Sequence, residues 1–160
     1  MNIRDARDDD SAGILGLLEA VYGEYDNCIL VLDEVPDLIR PATSFAAIEG
    51  RFWVVEVDGR VVGMTACAPS KEVAGLVELK KLYVARALRG TGMGRKLIEL
   101  VEAQARQWGA TRVHLWSDTR FVTAHAVYER CGYVRQPETR DLHDVSASVE
   151  FHYAKELDAP

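Results

Sequence analysis

Cysteine is scarce in this chain, and so is any long apolar run. The three cysteines, Cys28, Cys67 and Cys131, are odd in number and far apart, which excludes a closed disulfide framework and fits reduced thiols. Four scattered histidines supply none of the close spacings that hold zinc, so no metal is expected. No stretch approaches the ~18 consecutive apolar residues of a membrane span, and "MNIRDARDDD" lacks the charged-then-apolar layout of a secretory signal. The expectation is a soluble, cytoplasmic protein with no membrane partner. Basic charge is short too. With 19 Lys and Arg against 25 Asp and Glu, net −6, the chain lacks the basic excess that neutralises nucleic-acid phosphates. Its acidity suits a cationic small-molecule partner, and equally mere solubility. No repeat, linker or low-complexity tract interrupts the 160 residues, so residues 1–160 are expected to form one domain.

What is present reads as alternating strands and helices. Residues 2–7 are predicted as a first strand, and "DDDS" offers N-caps for a helix carrying Ile14, Leu17, Leu18, Val21 and Tyr22 on one face. Gly13 and Gly16 weaken that helix by about 1 kcal/mol each. Residues 23–50 are expected to be irregular and exposed around a short helix interrupted by Pro41. "RFWVVEVDGRVVGMTACAP" reads as two strands about an Asp58-Gly59 turn. "GLVELKKLYVA" is a third long strand, and Met93 to Trp108 an amphipathic helix stopped by Gly109. "TRVHLWS" is a strand, "RFVTAHAVYERC" a helix ended by Gly132, and "GYVRQ" and "SASVEFHYAKEL" are closing strands. This order predicts an α+β fold with a mixed sheet of about six or seven strands and helices on its faces.

The stretch "ALRGTGMGRKL" puts Gly90, Gly92 and Gly94 directly before the amphipathic helix. A strand, a glycine-rich connection and a helix N-terminus form an anion site, because the unpaired N–H groups of the first turn and the positive end of the helix dipole converge there. Glycine lets a phosphate approach without a Cβ in the way. Arg89 and Arg95 offer charge-assisted donors at either end. A Walker A loop is excluded by counting, since Arg95 stands where its second glycine belongs and Lys96 precedes Leu97. A dinucleotide fingerprint fits poorly, because the second and third glycines are too close.

"LYVARALRGTGMGRKLIELVEAQARQWG" resembles the acyl-CoA binding motif of the GNAT superfamily of N-acyltransferases, with Arg89, Gly92 and Gly94 in its Arg/Gln-x-x-Gly-x-Gly/Ala places. "AHAVYERCGYV" is similar to the family's second motif through Ala124, Tyr128, Gly132 and Tyr133. Element order extends the resemblance over nearly the whole chain. It implies a mostly antiparallel sheet with helices on both faces and a splayed central strand pair. It also implies acetyl-CoA as cosubstrate: the N–H groups of Arg89, Gly90, Thr91, Gly92, Met93, Gly94 and Arg95 hold its pyrophosphate, and its pantetheine arm lies along Leu82, Tyr83 and Val84. Phe121 departs from the family, which often has Asn there. A homodimer is compatible with the resemblance.

Acetyl transfer to an amine needs a neutral nitrogen, yet a Lys-like amine of pKa about 10.4 is neutral in only about one molecule in 2500 at pH 7, a cost of roughly 4.6 kcal/mol. Desolvation and a carboxylate acting through water lower that cost. Glu78 is the candidate base: regular alternation would put it on the same strand face as Val84, at a distance the pantetheine arm can span, and several family members place a base there. Its other role is an ordinary pair with Lys80 or Lys81. Tyr128 is the candidate acid, since a phenol stays protonated at neutral pH and the family's second motif puts a Tyr beside the CoA sulfur. His125, one turn earlier, could substitute or simply be solvated. The acceptor wall falls on residues 22–40, with Trp116, Ser117 and Asp118 at the end of the next strand. Cys131 has no identifiable basic partner, so direct attack is favoured over a covalent acyl-enzyme. The expected acceptor is a small-molecule amine. A non-catalytic acyl-CoA-binding module and a protein or peptide acetyltransferase are the alternatives.

Overall fold

The computed structural model describes residues 1–158; Ala159 and Pro160, the end of the predicted 1–160 unit, lie outside the described residues. Seven strands, β1 (Asn2–Asp5), β2 (Arg51–Val57), β3 (Arg60–Pro69), β4 (Leu76–Val84), β5 (Arg112–Asp118), β6 (Val134–Asp141) and β7 (Val149–Glu156), form one sheet in the order β1-β2-β3-β4-β5-β7-β6. Every neighbouring pair is antiparallel except β4 and β5, which are parallel. The helices are α1 (Ser11–Tyr22), α2 (Pro41–Ala46), α3 (Met93–Gln107) and α4 (Val122–Arg130). Among the described residues no helix is long and apolar enough to cross a membrane.

Local chemistry accounts for most element ends. Asp58 and Gly59 turn the β2–β3 hairpin with φ of 49° and 76°, the left-handed pair that matches strand twist. Pro41 starts α2 instead of interrupting it, because a first-turn residue needs no N–H partner and proline's fixed φ is already helical. Gly13 costs α1 propensity for a packing reason: a Cβ there would lie 2.9 Å from Val61 Cγ2, so the helix could not sit this close to β3. β6 runs further than "GYVRQ", since Thr139–Asp141 rejoin the ladder with β7 after an irregular stretch between Arg135 and Thr139.

The sheet buries both faces. Ile14, Leu17, Leu18 and Val21 of α1, with Phe45 of α2, pack on Phe52, Val54, Met64 and Ala66. On the other side Ile98, Val101 and Ala105 of α3 and Tyr128 of α4 pack on Cys67, Val77, Leu79, Val113 and Leu115.

β4 does not keep one alternation. Its register against β3 steps from Cys67↔Leu79 to Ala66↔Lys81, so Lys80 is an extra residue and the pattern flips across it. Glu78, Lys81 and Tyr83 therefore face the α1 side, opposite Ala68, Ala66 and Met64, while Leu79, Leu82 and Val84 face α3. The expected sharing of a face by Glu78 and Val84 is overturned by this bulge.

One half-buried ion cluster ties the N-terminal strand down. Arg4 grips Asp10 through two bonds of 2.7 and 2.8 Å and Glu56 through two of 2.7 and 3.0 Å, and the Arg7 N–H also donates to Asp10 at 2.7 Å. The bond from Arg4 outweighs the opposing effect of burial and holds the Asp10 carboxyl below its ordinary 3.8. Its contribution is therefore complete at neutral pH and is lost as pH falls through that lowered value. Asp10→Asn is expected to lose about 2 kcal/mol at pH 7, with the gap to wild type closing in acid below the ordinary value of 3.8; urea unfolding across pH measures both.

Candidate functional site

The parallel pairing of β4 with β5 stops at Leu79 and Leu115. Beyond it, residues 81–84 stay bonded to β3 while Trp116, Ser117 and Asp118 stay bonded to β7. The strand ends diverge and leave a gap through the sheet. A cavity of about 360 Å³ lies against α3 and α4, and a second of about 260 Å³ lies toward the α1 side. Leu82, Tyr83, Phe121 and Ala124 border both, so the two cavities meet at the gap.

The larger cavity contains the glycine row. Gly90 and Gly92 hold φ of 77° and 85°, conformations costly for any side chain with a Cβ. The first hydrogen bond of α3 is Lys96 N–H to Gly92 O at 3.0 Å, and among the described residues the N–H groups of residues 90–95 meet no protein acceptor. A Cβ added at Gly90 or Gly92 would meet no protein atom within 4 Å. Of the residues predicted to hold a cofactor, Leu82, Tyr83, Val84, Arg89, Gly90, Gly92, Met93, Gly94 and Arg95 line this cavity. Thr91 does not, and its hydroxyl donates to Leu88 O at 2.6 Å.

The two arginines are placed differently from expectation. Arg89 N–H is already bonded to Arg86 O at 3.1 Å, and its guanidinium makes a two-pronged pair with Glu24 at 2.5 and 3.0 Å. The Arg95 side chain lies along its own helix, bonded to Glu99 at 2.8 Å. Both are drawn to nearby carboxylates, so the exposed donors of the row are main-chain groups.

Glu78 and Tyr128 both line the smaller cavity. Glu78 is 26% exposed with Lys80 Nζ 3.3 Å from its carboxylate, so the pair foreseen with Lys80 forms inside the cavity wall. Tyr128 is buried, and burial pushes its hydroxyl well above the usual phenol range against the opposing hydrogen bond from Ser117. His125 is not solvated: it is buried, with Nε2 3.0 Å from Asp118 O and 3.2 Å from Ser117 Oγ. Burial also raises the Cys131 and Cys28 thiols. Among the described residues no group of three His, Cys, Asp or Glu could hold a metal.

The wall foreseen at residues 22–40 with Trp116, Ser117 and Asp118 lines the smaller cavity in part, but the sequence assigns Phe121 and Arg120 no place in it. Phe121 closes an aromatic cluster between the cavities, its ring centroid 4.9 Å from Tyr25, 6.2 Å from Tyr22 and 6.3 Å from Tyr83. Arg120 makes a forked pair with Asp118 at 2.6 and 2.9 Å and also donates to Asn27 O, Ser146 O and Ser148 Oγ. Glu34 accepts the Val145 N–H at 2.9 Å, and Ser146 Oγ bonds both main-chain groups of Ile29. The segment after α1 and the β6–β7 loop are thereby stitched into one wall. The sequence pointed to residues 22–40 and to Asp118, but "DTR" at 118–120 carries no hint of the distant partners of Arg120.

Residues 18–133 match the model of the acetyltransferase (GNAT) family. The uncharacterized N-acetyltransferase YjgM of Escherichia coli is 32% identical over 129 residues, 78% of this chain and 76% of that protein. N-acetyltransferase family 8 member 2 of Rattus norvegicus is 33% identical over 100 residues, 61% of this chain but 44% of its own length. Among solved structures, an acetyltransferase of the GNAT family from Staphylococcus aureus superposes with a TM-score of 0.84 at 18% identity, over 98% of this chain and 99% of that one. The yncA protein of Salmonella typhimurium, solved with its cofactor acetyl-CoA, gives 0.72 at 19% identity, over 100% of this chain and 95% of that one.

Removing the Arg120 fork leaves Asp118 buried and unpaired. Arg120→Ala is expected to destabilise the fold by about 3 kcal/mol and to speed hydrogen exchange at residues 27–31 and 142–148 together, and Arg120→Lys to restore only part, since an ammonium cannot fork.

Proposed function

This chain belongs to the acetyltransferase (GNAT) family and is an acetyl-CoA-dependent acyltransferase, and from that premise we propose that it acetylates the primary amine of a small molecule by direct attack in a ternary complex. The observation that carries this is the meeting of two cavities at the parted strands, with Tyr128 and Glu78 both bordering the smaller one.

Acetyl-CoA enters from the α3–α4 side. Its pyrophosphate takes the free N–H groups of residues 90–95, where unpaired donors and the helix dipole favour an anion. Its pantetheine arm runs past Leu82 and Val84 into the gap, where β4 main-chain groups on the open side have lost their strand partner and hydrogen-bond its amides. The thioester then lies where the cavities join.

The amine arrives from the other side. Glu34, Asp37, Glu78, Asp118, Asp144 and Glu150 line that cavity against Lys80, Lys81 and Arg140, a balance that draws in an ammonium group. At about 260 Å³ the cavity is smaller than the usual range of about 300–1,000 Å³ for drug-sized ligands, which favours a compact acceptor over a folded protein. Glu78 takes the ammonium proton, directly or through one water, and the free amine attacks the thioester carbon. The tetrahedral intermediate collapses as Tyr128, held protonated by burial, donates to the departing sulfur, and the proton the nitrogen must still lose to become an amide returns to the phenolate, restoring Tyr128. Cys131 and Cys28 do not serve as nucleophiles, because burial keeps both as thiols.

Thiol release from acetyl-CoA is measured with spermidine, L-glutamate, kanamycin and an alanine-terminated peptide as acceptors; the peptide as the preferred acceptor would overturn the small-molecule assignment. With the best of them, Tyr128→Phe and Glu78→Gln are each expected to lower kcat on the order of a hundredfold with the KM for acetyl-CoA kept. Full activity in both removes them from the chemistry. Gly92→Ala is expected to weaken acetyl-CoA binding by calorimetry at least about tenfold, while Gly59→Ala, with a positive φ far from the cavity, controls for backbone strain alone.

A further inference from the structure

Beside Glu78, on the α1 side of the sheet, runs a row of side chains outside both cavities' named chemistry. Val113, Leu115 and Tyr153 point into the α3–α4 core, so alternation turns His114 and His152 to the other face with Glu78. Glu78 and His114 are register partners on β4 and β5. His114 Nδ1 lies 2.9 Å from His152 Nε2, and His152 Nδ1 lies 3.3 Å from the exposed Glu138 carboxylate. Glu138 reaches this position from the irregular part of β6, between Arg135 and Thr139. The His152 ring is fixed by stacking on Trp116 at 4.4 Å and 13°, and Arg140 covers the Trp116 ring at 4.5 Å.

Hydrogen-bond logic fixes the protons from one end. A carboxylate only accepts, so His152 Nδ1 must carry the hydrogen bonded to Glu138. With that single hydrogen on His152 its Nε2 is bare, and the 2.9 Å contact then takes a hydrogen from His114 Nδ1. Neutral His114 is left with a bare Nε2, on the side of its ring turned away from Nδ1 and His152, and Glu78 is its register partner on β4. The charged groups around His114 are Glu78 from β4, Arg112 on its own strand and Arg140 from β6, with His152 from β7. Burial, aided by Arg112 and Arg140 and opposed by Glu78, holds the ring below the ordinary 6.5.

We propose that His114 is a further proton-accepting residue of the reaction, with His152 and Glu138 as positioning residues that fix its tautomer. This rests on the reading of Glu78 as the base. The proton leaving the acceptor ammonium passes from the Glu78 carboxyl through a bridging water to His114 Nε2, forming an imidazolium whose Nδ1–H stays bonded to His152. It leaves from the same Nε2 to water as products depart, so neither ring has to turn over. The row keeps Glu78 ionised during attack, when a protonated carboxyl could return its proton to the amine.

Two-bond nitrogen–proton correlation spectra of the protein with ¹⁵N-labelled histidine test the arrangement without any acceptor. Both rings are expected as Nδ1–H tautomers, and Glu138→Ala is expected to shift both toward Nε2–H. An Nε2–H tautomer at His114 in the wild type overturns the proposal, as does a Glu138→Ala effect confined to His152. With the best amine of the panel above, His114→Ala is expected to lose kcat on the order of tenfold, keep the KM for acetyl-CoA, and recover on addition of imidazole. Unchanged kcat, or a loss that imidazole does not move, also overturns it. If Glu78→Gln were fully active while the tautomers stood as expected, the base assignment would fail and the row would be a structural feature of the sheet.

Discussion

The rest of the molecule depends on one unmade interaction, the missing hydrogen bonds between the ends of β4 and β5. A sheet normally repels ligands from its interior, because every main-chain group there is already paired and both faces are covered by side chains. Here the two strands share a short parallel ladder and then follow different partners, β4 toward β3 and β5 toward β7. The bonds to those outer neighbours keep the gap open, so separation costs little beyond the pairs it omits. What would be core in an unbroken sheet becomes a passage between its two faces.

The bulge at Lys80 works with that gap. Without the extra residue, Glu78 would be turned to the side of Leu82 and Val84, toward α3. With it, the strand presents apolar residues to one cavity and a carboxylate to the other, so a single strand gives the two cavities chemically different walls. The walls follow the same division. On the α3 side the polar supply is main-chain N–H with arginines, Arg130 among them; on the other it is side-chain charge of both signs, Asp118, Glu78 and Lys81 among it. A phosphate and an ammonium group would each find the environment that favours it.

Much of this was legible in the sequence and some of it was not, for identifiable reasons. The glycine row, the buried stripe of α3 and the Asp58-Gly59 turn are local signals, set by propensity and positive φ, and local signals survive without tertiary information. The Lys80 bulge is invisible in "VELKKLYV", because a bulge is defined by register against another strand. Arg89 and Arg95 looked available because a sequence shows charge but not the carboxylate that claims it: Glu24 lies 65 positions from Arg89. His125 was expected in solvent because an isolated helix reading cannot see β5 arriving over it. Arg120 joins three segments through main-chain oxygens, and such acceptors have no sequence signature at all.

The Arg89–Glu24 pair, described above only as a departure from expectation, also joins two territories. One partner borders the cavity of the glycine row, and the other begins the segment that walls the opposite cavity. Thermodynamic linkage is reciprocal. Any ligand that draws the arginine away loosens that wall, and any ligand that settles the wall alters the arginine's freedom, by the same free energy in both directions. The two territories are thereby coupled through a single contact, and ionic strength is a second handle on it, since exposed charge pairs weaken as salt rises.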